Sequence, residues 1–213
     1  MIKEIFSLYV DRWSLFLNLT WEHIQISAVS IAGAVVIGLL LGIFASQYRK
    51  SASPILGLTN LLYTIPSIAL FGFLIPFSGI GNTTAIIALT VYALLPMVRN
   101  TYTGITGIDH EVIEAARGMG STPFQILWKI KLPLAYPVIL SGIRNMMVMT
   151  IALTGIAAFI GAGGLGVAIY RGITTNNSAM TLAGSILIAL LALLADWGVG
   201  RYERHIKKKR RLI

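Results

Sequence analysis

Two long stretches of this sequence, residues 24–48 and 51–98, contain no Asp, Glu, Lys or Arg. A helix needs about 20 predominantly apolar residues to cross roughly 30 Å of hydrocarbon, so the second stretch is long enough for two crossings. Charged residues make up only 12% of the chain, about half the level of a soluble domain. The sequence therefore predicts an all-α membrane protein with several spans.

Five spans are predicted, over residues 24–45, 54–75, 83–98, 134–160 and 179–200, in one domain of residues 1–213. Pro66 lies inside the second and should kink it, because proline removes a backbone hydrogen bond. Gly33, Gly38 and Gly42 in the first should allow close helix contact. Residues 1–20 place apolar residues at three- and four-residue spacing beside a charged face, which predicts an amphipathic helix at the membrane interface. A partly ordered lead-in is the alternative.

The basic residues predict the orientation. Of the 17 in the chain, thirteen fall in residues 46–53, 99–133 and the tail 201–213. The positive-inside rule places these segments in the cytoplasm. Five spans then put the N-terminus outside and the C-terminus inside. The same distribution argues against nucleic acid as the reason for the net charge of +9.

Residues 99–133 form a polar segment that contains two short predicted helices. Asp109 can cap the first helix, and Gly118 and Gly120 end it. Thr122 and Gln125 form a capping-box pair at the start of the second helix. Two capped helices between two spans indicate a docking element.

This segment resembles the cytoplasmic coupling loop of permease subunits in binding-protein-dependent ATP-binding cassette importers. The family's pattern is Glu-Ala-Ala, three residues, Gly, nine residues, Ile, one residue, and Leu-Pro. The chain matches it without departure at Glu114, Ala115, Ala116, Gly120, Ile130, Leu132 and Pro133. The resemblance implies the type I importer permease fold and a loop that docks on an ATPase subunit.

Four further stretches, 63–70, 95–104, 159–166 and 170–177, resemble importers of glycine betaine, carnitine and choline. The similarity covers nearly all of residues 20–205. It implies a permease for quaternary ammonium osmoprotectants in a bacterial-type cell membrane. A methionine or amino-acid importer is the alternative, because residues 161–166 also resemble methionine-type permeases.

The resemblance also implies partners. These are ATPase subunits, a second permease subunit that is identical or paralogous, and an extracytoplasmic substrate-binding protein, with membrane lipids around them. The chain has no phosphate-binding loop with Lys and Ser or Thr, so ATP and Mg²⁺ are expected on the ATPase. Neither a catalytic constellation nor metal-ligand spacing is present, which predicts a transporter subunit rather than an enzyme.

A glycine-rich segment contains Gly161, Gly163, Gly164 and Gly166. It matches the letters of a dinucleotide-binding fingerprint, but that motif requires a preceding strand and an acid about 20 residues on. A span precedes it here. We expect a tight re-entry between two spans with positive φ angles, and the segment is a candidate for an outer gate.

Two pairs of side chains are further candidates within the spans. Arg144 lies inside the fourth span, where an ionised group is costly, and Asp196 lies at a comparable depth in the fifth, so we expect an ion pair. Tyr63 and Tyr92 are candidate pathway residues, because ring faces attract quaternary ammonium groups. For both tyrosines a packing role is the alternative.

The rival class is a secondary transporter driven by an ion gradient. Such proteins usually carry intramembrane acids or inverted repeats. The chain shows no evident repeat and no acid near the middle of a predicted span. The importer interpretation is therefore favoured.

Overall fold

The computed structural model describes residues 1–209, and this part of the chain consists of helices joined by short turns and contains no strand. This confirms the all-α prediction. The α-helices in chain order are α1 (Ile2–Asp11), α2 (Trp13–Gln47), α3 (Arg49–Thr64), α4 (Ser67–Ser78), α5 (Asn82–Thr106), α6 (His110–Gly118), α7 (Pro123–Gln125), α8 (Leu132–Thr154), α9 (Gly166–Thr174) and α10 (Ser178–Lys209). A π-helix, Ile126–Lys131, joins α7 to α8, and a 3₁₀-helix, Ile156–Ile160, follows α8.

Four helical segments within residues 1–209 are long and apolar enough to cross a membrane. They are α2, α5, the continuous run Pro123–Thr154, and Ser178–Ile206 of α10. Helices α3 and α4 meet the same test as a pair bent by 101°, and they are a candidate fifth span, either broken or re-entrant. The kink predicted at Pro66 is therefore a full break, with Ile65 in extended conformation between the two helices.

The predicted amphipathic helix over residues 1–20 is split in two. Helix α1 ends at Asp11, and residues 13–20 begin the long helix α2. Phe16 and Leu19 are buried against α9 and α10, so this part belongs to the bundle rather than to a separate interfacial helix. The Tyr9 hydroxyl of α1 donates a 2.8 Å hydrogen bond to the carbonyl of Ala183, which fastens α1 to α10.

Other helix ends also differ from the predicted span boundaries. Helix α5 continues past the predicted end at Val98 to Thr106, because Thr101 and Ile105 are fully buried in the bundle. The fourth predicted span breaks at Gly155, where the 3₁₀ segment begins. Helix α10 continues through residues 201–209, the start of the predicted basic tail, and residues 210–213 lie outside the described residues.

The centre of the bundle is the packing of α2 against α5 and of α5 against α8. Glycines of α2 allow this close approach, as the sequence predicts. A β-carbon at Gly38 would lie 2.6 Å from Met97 Cγ, and one at Gly42 would lie 2.5 Å from Thr101 Cβ. Substitution at either position would push α2 away from α5.

Candidate functional site

The segment that resembles a coupling loop was predicted over residues 99–133 and comprises residues 107–131, because α5 continues to Thr106 and α8 begins at Leu132. It is called the coupling loop below. Its helices have the predicted caps. The Asp109 side chain accepts a hydrogen bond from Glu111 N, 3.0 Å long. Thr122 and Gln125 form the reciprocal capping box, with bonds of 2.9 and 3.3 Å and Pro123 at the first helical position. Local sequence therefore determines where each helix of the loop begins.

Gly120 ends the first helix of the loop in a left-handed conformation with φ +82°. Its N–H donates to the carbonyl of Arg117, and the N–H of Ser121 donates to the carbonyl of Ala116. This is the Schellman arrangement, which favours glycine because other residues are strained there. A β-carbon at Gly120 would meet no atom within 4 Å, so the constraint is the backbone conformation.

The motif residues divide between a small core and an outer surface. Ala116 is buried with Ile113 and Ile126, and Ile130 packs against this cluster. Glu114 and Ala115 are exposed on the opposite side of α6. Leu132 and Pro133 are half-buried at the base of α8. The core holds the two helices together, and the outer surface remains available to a partner.

Four large apolar side chains of the loop are exposed: Val112, Met119, Phe124 and Trp128. The residue exposure of Met119 reaches 87%, and the rings of Phe124 and Trp128 are 6.0 Å apart. Exposed apolar and aromatic groups of this kind characterise protein-binding surfaces. The loop therefore has the composition of a docking surface.

Tyr63 and Tyr92 lie together at the break between α3 and α4. Their ring centroids are 6.0 Å apart in an edge-on arrangement. The Tyr92 hydroxyl donates to the carbonyl of Ile65 in the break itself. The two rings line a cleft of about 340 Å³ together with Met149 and Leu153, and no Asp, Glu, Lys or Arg lines it within residues 1–209.

The glycine-rich segment connects three parts of the bundle. Gly163 N donates a 2.8 Å hydrogen bond to Asn82 Oδ1 at the start of α5. Gly164 N donates a 3.0 Å hydrogen bond to Glu22 Oε2 of α2. A third bond, from Gly81 N to the carbonyl of Ile160, joins the turn before α5 to the 3₁₀-helix that precedes the glycine-rich segment.

The four glycines serve two different purposes. Gly161 and Gly164 have positive φ angles of 75° and 90°, as expected for a tight turn. Gly163 and Gly166 do not have positive φ, so that expectation was wrong for them. They allow close approach instead: a β-carbon at Gly166 would lie 2.1 Å from the carbonyl oxygen of Gly155.

Arg144 and Asp196 form a two-pronged ion pair between α8 and α10. The Nε–Oδ1 and Nη2–Oδ2 distances are 2.6 and 2.7 Å. Glu203 is a third member, with Oε2 3.3 Å from Arg144 Nη1 and Oε1 2.8 Å from the Ser141 hydroxyl. Glu203 is only 6% exposed, and the cluster joins the middle of α8 to the C-terminal half of α10.

Sequence reasoning missed Glu22, Asn82 and Glu203. The signal for Glu203 was its spacing, because Asp196 and Glu203 are seven residues apart and therefore lie on the same helix face. The signal for Glu22 was its position as the last acid before the charge-free stretch. Asn82 had no distinguishing signal, since its partner Gly163 is 81 residues away.

Comparison with known proteins places this geometry in a family. The family described as "Binding-protein-dependent transport system inner membrane component" matches residues 34–208. The chain is 39% identical, over 99% of its length and 93% of the relative, to the glycine betaine/carnitine/choline transport system permease protein OpuCD of Bacillus subtilis. It is 42% identical, over 91% of its length and 93% of the relative, to the osmoprotectant import permease protein OsmW of Salmonella typhimurium.

A solved structure supports the same assignment. The fold is similar to a chain of the MetNI methionine ABC transporter in an inward-facing conformation, with a TM-score of 0.85 and 27% identity. The match covers 92% of this chain and 98% of that one. The chain therefore belongs to the inner membrane components of binding-protein-dependent transport systems, and it is a multi-pass permease with the type I importer fold.

Proposed function

We propose that this chain is the permease subunit of an ATP-driven importer of quaternary ammonium osmoprotectants such as glycine betaine, carnitine or choline. The observation that carries the proposal is the coupling loop. The motif is complete from Glu114 to Pro133 and runs from the first capped helix of the loop, through the second, to the start of α8. The names of the relatives OpuCD and OsmW support the cargo class.

The coupling loop docks on a separate ATPase subunit, which binds ATP and Mg²⁺. Met119, Phe124 and Trp128 give the loop an apolar contact surface, and Glu114 adds an exposed carboxylate beside it. The second helix of the loop continues through the π-helix into α8 without a break. Closure of the ATPases would therefore move α8 directly.

Cargo passes along the cleft at Tyr63 and Tyr92. A quaternary ammonium group has no hydrogen-bond donor, and it is attracted to aromatic ring faces. Tyr63 is 40% exposed and offers such a surface. A cleft without an opposing ionised side chain binds a cation weakly, which suits a pathway that must release its cargo again.

Two permease subunits enclose the pathway, and a substrate-binding protein delivers cargo to the outer face. The mechanism is alternating access, in which rigid bundles rock about the cargo when the ATPases close. The segment with Gly161, Gly163, Gly164 and Gly166 acts as an outer gate. Its bonds to Glu22 and Asn82 tie it to α2 and α5, so movement of these helices would move the gate.

The N-terminus lies outside and the C-terminus in the cytoplasm, as the distribution of basic residues indicates. The chain has no cysteine, so single cysteines can be introduced without background. Cysteines replacing the exposed residues Ser7 and Ser178 should react with an impermeant reagent in intact cells, and one replacing Ser53 should not. External labelling at Ser53 would contradict this orientation.

The cargo is tested by uptake of radiolabelled glycine betaine in cells that depend on this subunit. We expect competition by unlabelled glycine betaine, carnitine or choline. Competition by methionine alone would move the chain to the amino-acid importers. Uptake that survives ATP depletion but stops when ion gradients are collapsed would move it to the secondary transporters.

A further inference from the structure

Helix α10 carries an exposed groove along its C-terminal half. Two cavities lie end to end on this face, one of about 420 Å³ and one of about 740 Å³. Both are lined by Trp197 and Arg204, so they form one continuous groove. The groove begins in the membrane-spanning part of α10 and continues past it.

The first half of the groove has an apolar floor of leucines, and the Arg144–Asp196 ion pair lies at its wall. Leu193 and Leu194 are 65% and 63% exposed, and Leu190 lies one turn above them. From Leu190 to Trp197 this surface extends about 10 Å along the helix axis. Its length and composition suit a hydrocarbon chain.

The second half of the groove is basic. Arg201, Arg204 and Lys208 follow Trp197 at intervals of three and four residues, which places them on one helix face. The guanidinium carbon of Arg201 lies 5.7 Å from the centre of the Trp197 ring. Within residues 1–209, Arg201 and Lys208 have no carboxylate within 4 Å.

The two acids of α10 near the groove are both engaged by Arg144, although Asp196 lines the groove itself. Glu203 faces inward, where it is buried and bonded to Ser141 and Arg144. Asp196 is occupied by both prongs of Arg144, and Arg204 lies within electrostatic range of it. Both acids bond to Arg144, so Arg201 and Lys208 keep the basic half of the groove positively charged, and an anion would neutralise that charge.

We propose that this groove binds an anionic phospholipid. The phosphate lies between Arg201 and Arg204, and an acyl chain lies along Leu193 and Leu194. Trp197 marks the boundary, because tryptophan is enriched where hydrocarbon meets headgroups. Free phosphate would use only the basic half of the groove, whereas a phospholipid uses both halves.

The test uses brominated lipids, which quench a nearby tryptophan. The full chain is purified in detergent with Trp13, Trp21 and Trp128 replaced by Phe, leaving Trp197 as the only tryptophan of the four. Brominated phosphatidylglycerol should quench Trp197 at a concentration about tenfold or more below that of brominated phosphatidylcholine, given the effect of each basic residue near an anionic surface. Equal quenching by the two lipids would overturn the proposal.

Matched variants locate the site. Arg201→Gln/Arg204→Gln should abolish the preference for phosphatidylglycerol. Arg49→Gln/Lys50→Gln, which removes two exposed charges elsewhere, should keep it. Arg201→Lys/Arg204→Lys should also keep it within about twofold, because the attraction to phosphate depends chiefly on charge. Retention of the preference in the double glutamine variant would overturn the proposal.

Two changes of buffer test the unmodified groove, so they remain informative even if the glutamine variant folds poorly. They also distinguish a phospholipid from other occupants. In the unmodified groove the preference should weaken as NaCl is raised, since salt screens exposed charges. It should persist when inorganic phosphate replaces chloride at equal ionic strength. Loss of the preference in phosphate would assign the groove to free phosphate. Failure of both lipids to quench Trp197 in a self-associated chain would assign it to a second copy, and either result overturns the proposal.

Discussion

Glu22 Oε2 accepts a 3.0 Å hydrogen bond from the backbone N–H of Gly164, which joins helix α2 to a segment 142 residues later in the chain. The next residue, His23, is fully buried and donates from Nε2 to the carbonyl of Ile151 at 2.9 Å. Glu22 thus ties the glycine-rich segment to α2, and His23 ties α2 to α8 directly beneath that segment, where a β-carbon at Gly164 would contact it. The proposed outer gate is therefore a packed element of the bundle.

This packing predicts different costs for neighbouring glycines. Gly164→Ala should destabilise the chain by about 1–2 kcal/mol or more, because φ is positive and the new carbon would lie 3.1 Å from the His23 backbone. Gly163→Ala should cost less, since the new carbon meets the movable Glu22 carboxylate at 2.5 Å. Thermal unfolding in detergent measures both. Gly57→Ala is the control, with no atom within 4 Å, and equal stability of the Gly164 and Gly57 variants would contradict the prediction.

The Arg144 cluster predicts an asymmetric result for charge reversal. Asp196→Asn should lower the yield of folded chain, because Arg144 loses its closest partner. Reversing both charges with Arg144→Asp/Asp196→Arg should recover only part of that yield, since the new carboxylate at position 144 would face Glu203. Adding Glu203→Gln should improve the recovery. Size-exclusion yield measures the series, and a double reversal no better than the worse single variant would argue against a functional pairing.

The aromatic cleft predicts that the ring of Tyr63 matters more than its hydroxyl. Tyr63→Phe should transport with nearly unchanged KM, because the ring face remains. Tyr63→Leu should raise the KM for glycine betaine roughly 2- to 30-fold, the range expected for one cation–π contact. Uptake kinetics at matched expression distinguish the two variants. Similar KM values for the Leu and Phe variants would leave Tyr63 with a packing role.

The coupling loop predicts loss of transport without loss of insertion. Gly120→Val places a branched side chain at φ +82°, which should redirect the second helix of the loop. Glu114→Ala removes an exposed carboxylate and leaves the buried core with Ala116 intact. Both variants should reach the membrane at near-normal levels.

The readouts are cargo uptake and co-purification of the ATPase. Both variants should lose uptake, with the ATPase either detached or unresponsive to cargo. Asp109→Asn is the control, since asparagine also caps helices well. Normal uptake in both variants, with a bound and stimulated ATPase, would mean that the loop is not the coupling element.

Local signals predicted the coupling loop in detail. Its caps, its glycine turn and its helix order depend on residues within a few positions of one another, such as Thr122 and Gln125. The break at Pro66 was predicted only as a kink. Proline explains why the helix is interrupted, but the 101° angle depends on distant packing, in which Tyr92 bonds to Ile65.

Contacts between distant segments were harder to predict. The pairing of Arg144 with Asp196 could be predicted, because the sequence places both residues at a similar depth in their spans. Glu203 was assigned to a basic tail, since the continuation of α10 beyond residue 200 has no apolar signal. Its burial depends on Ser141 and Arg144 across the helix interface, which a single sequence does not reveal.

The π-helix Ile126–Lys131 determines how α8 is rotated about its own axis relative to α7. A π-turn holds more residues than an α-turn, so it can absorb an extra residue that would rotate everything downstream by about 100° in an uninterrupted α-helix. It therefore sets the angle between the side of α7 that bears Phe124 and the side of α8 that bears Arg144. A partner bound to the loop would thus turn α8 about its own axis as well as tilt it, and that rotation would shift Arg144 relative to Asp196.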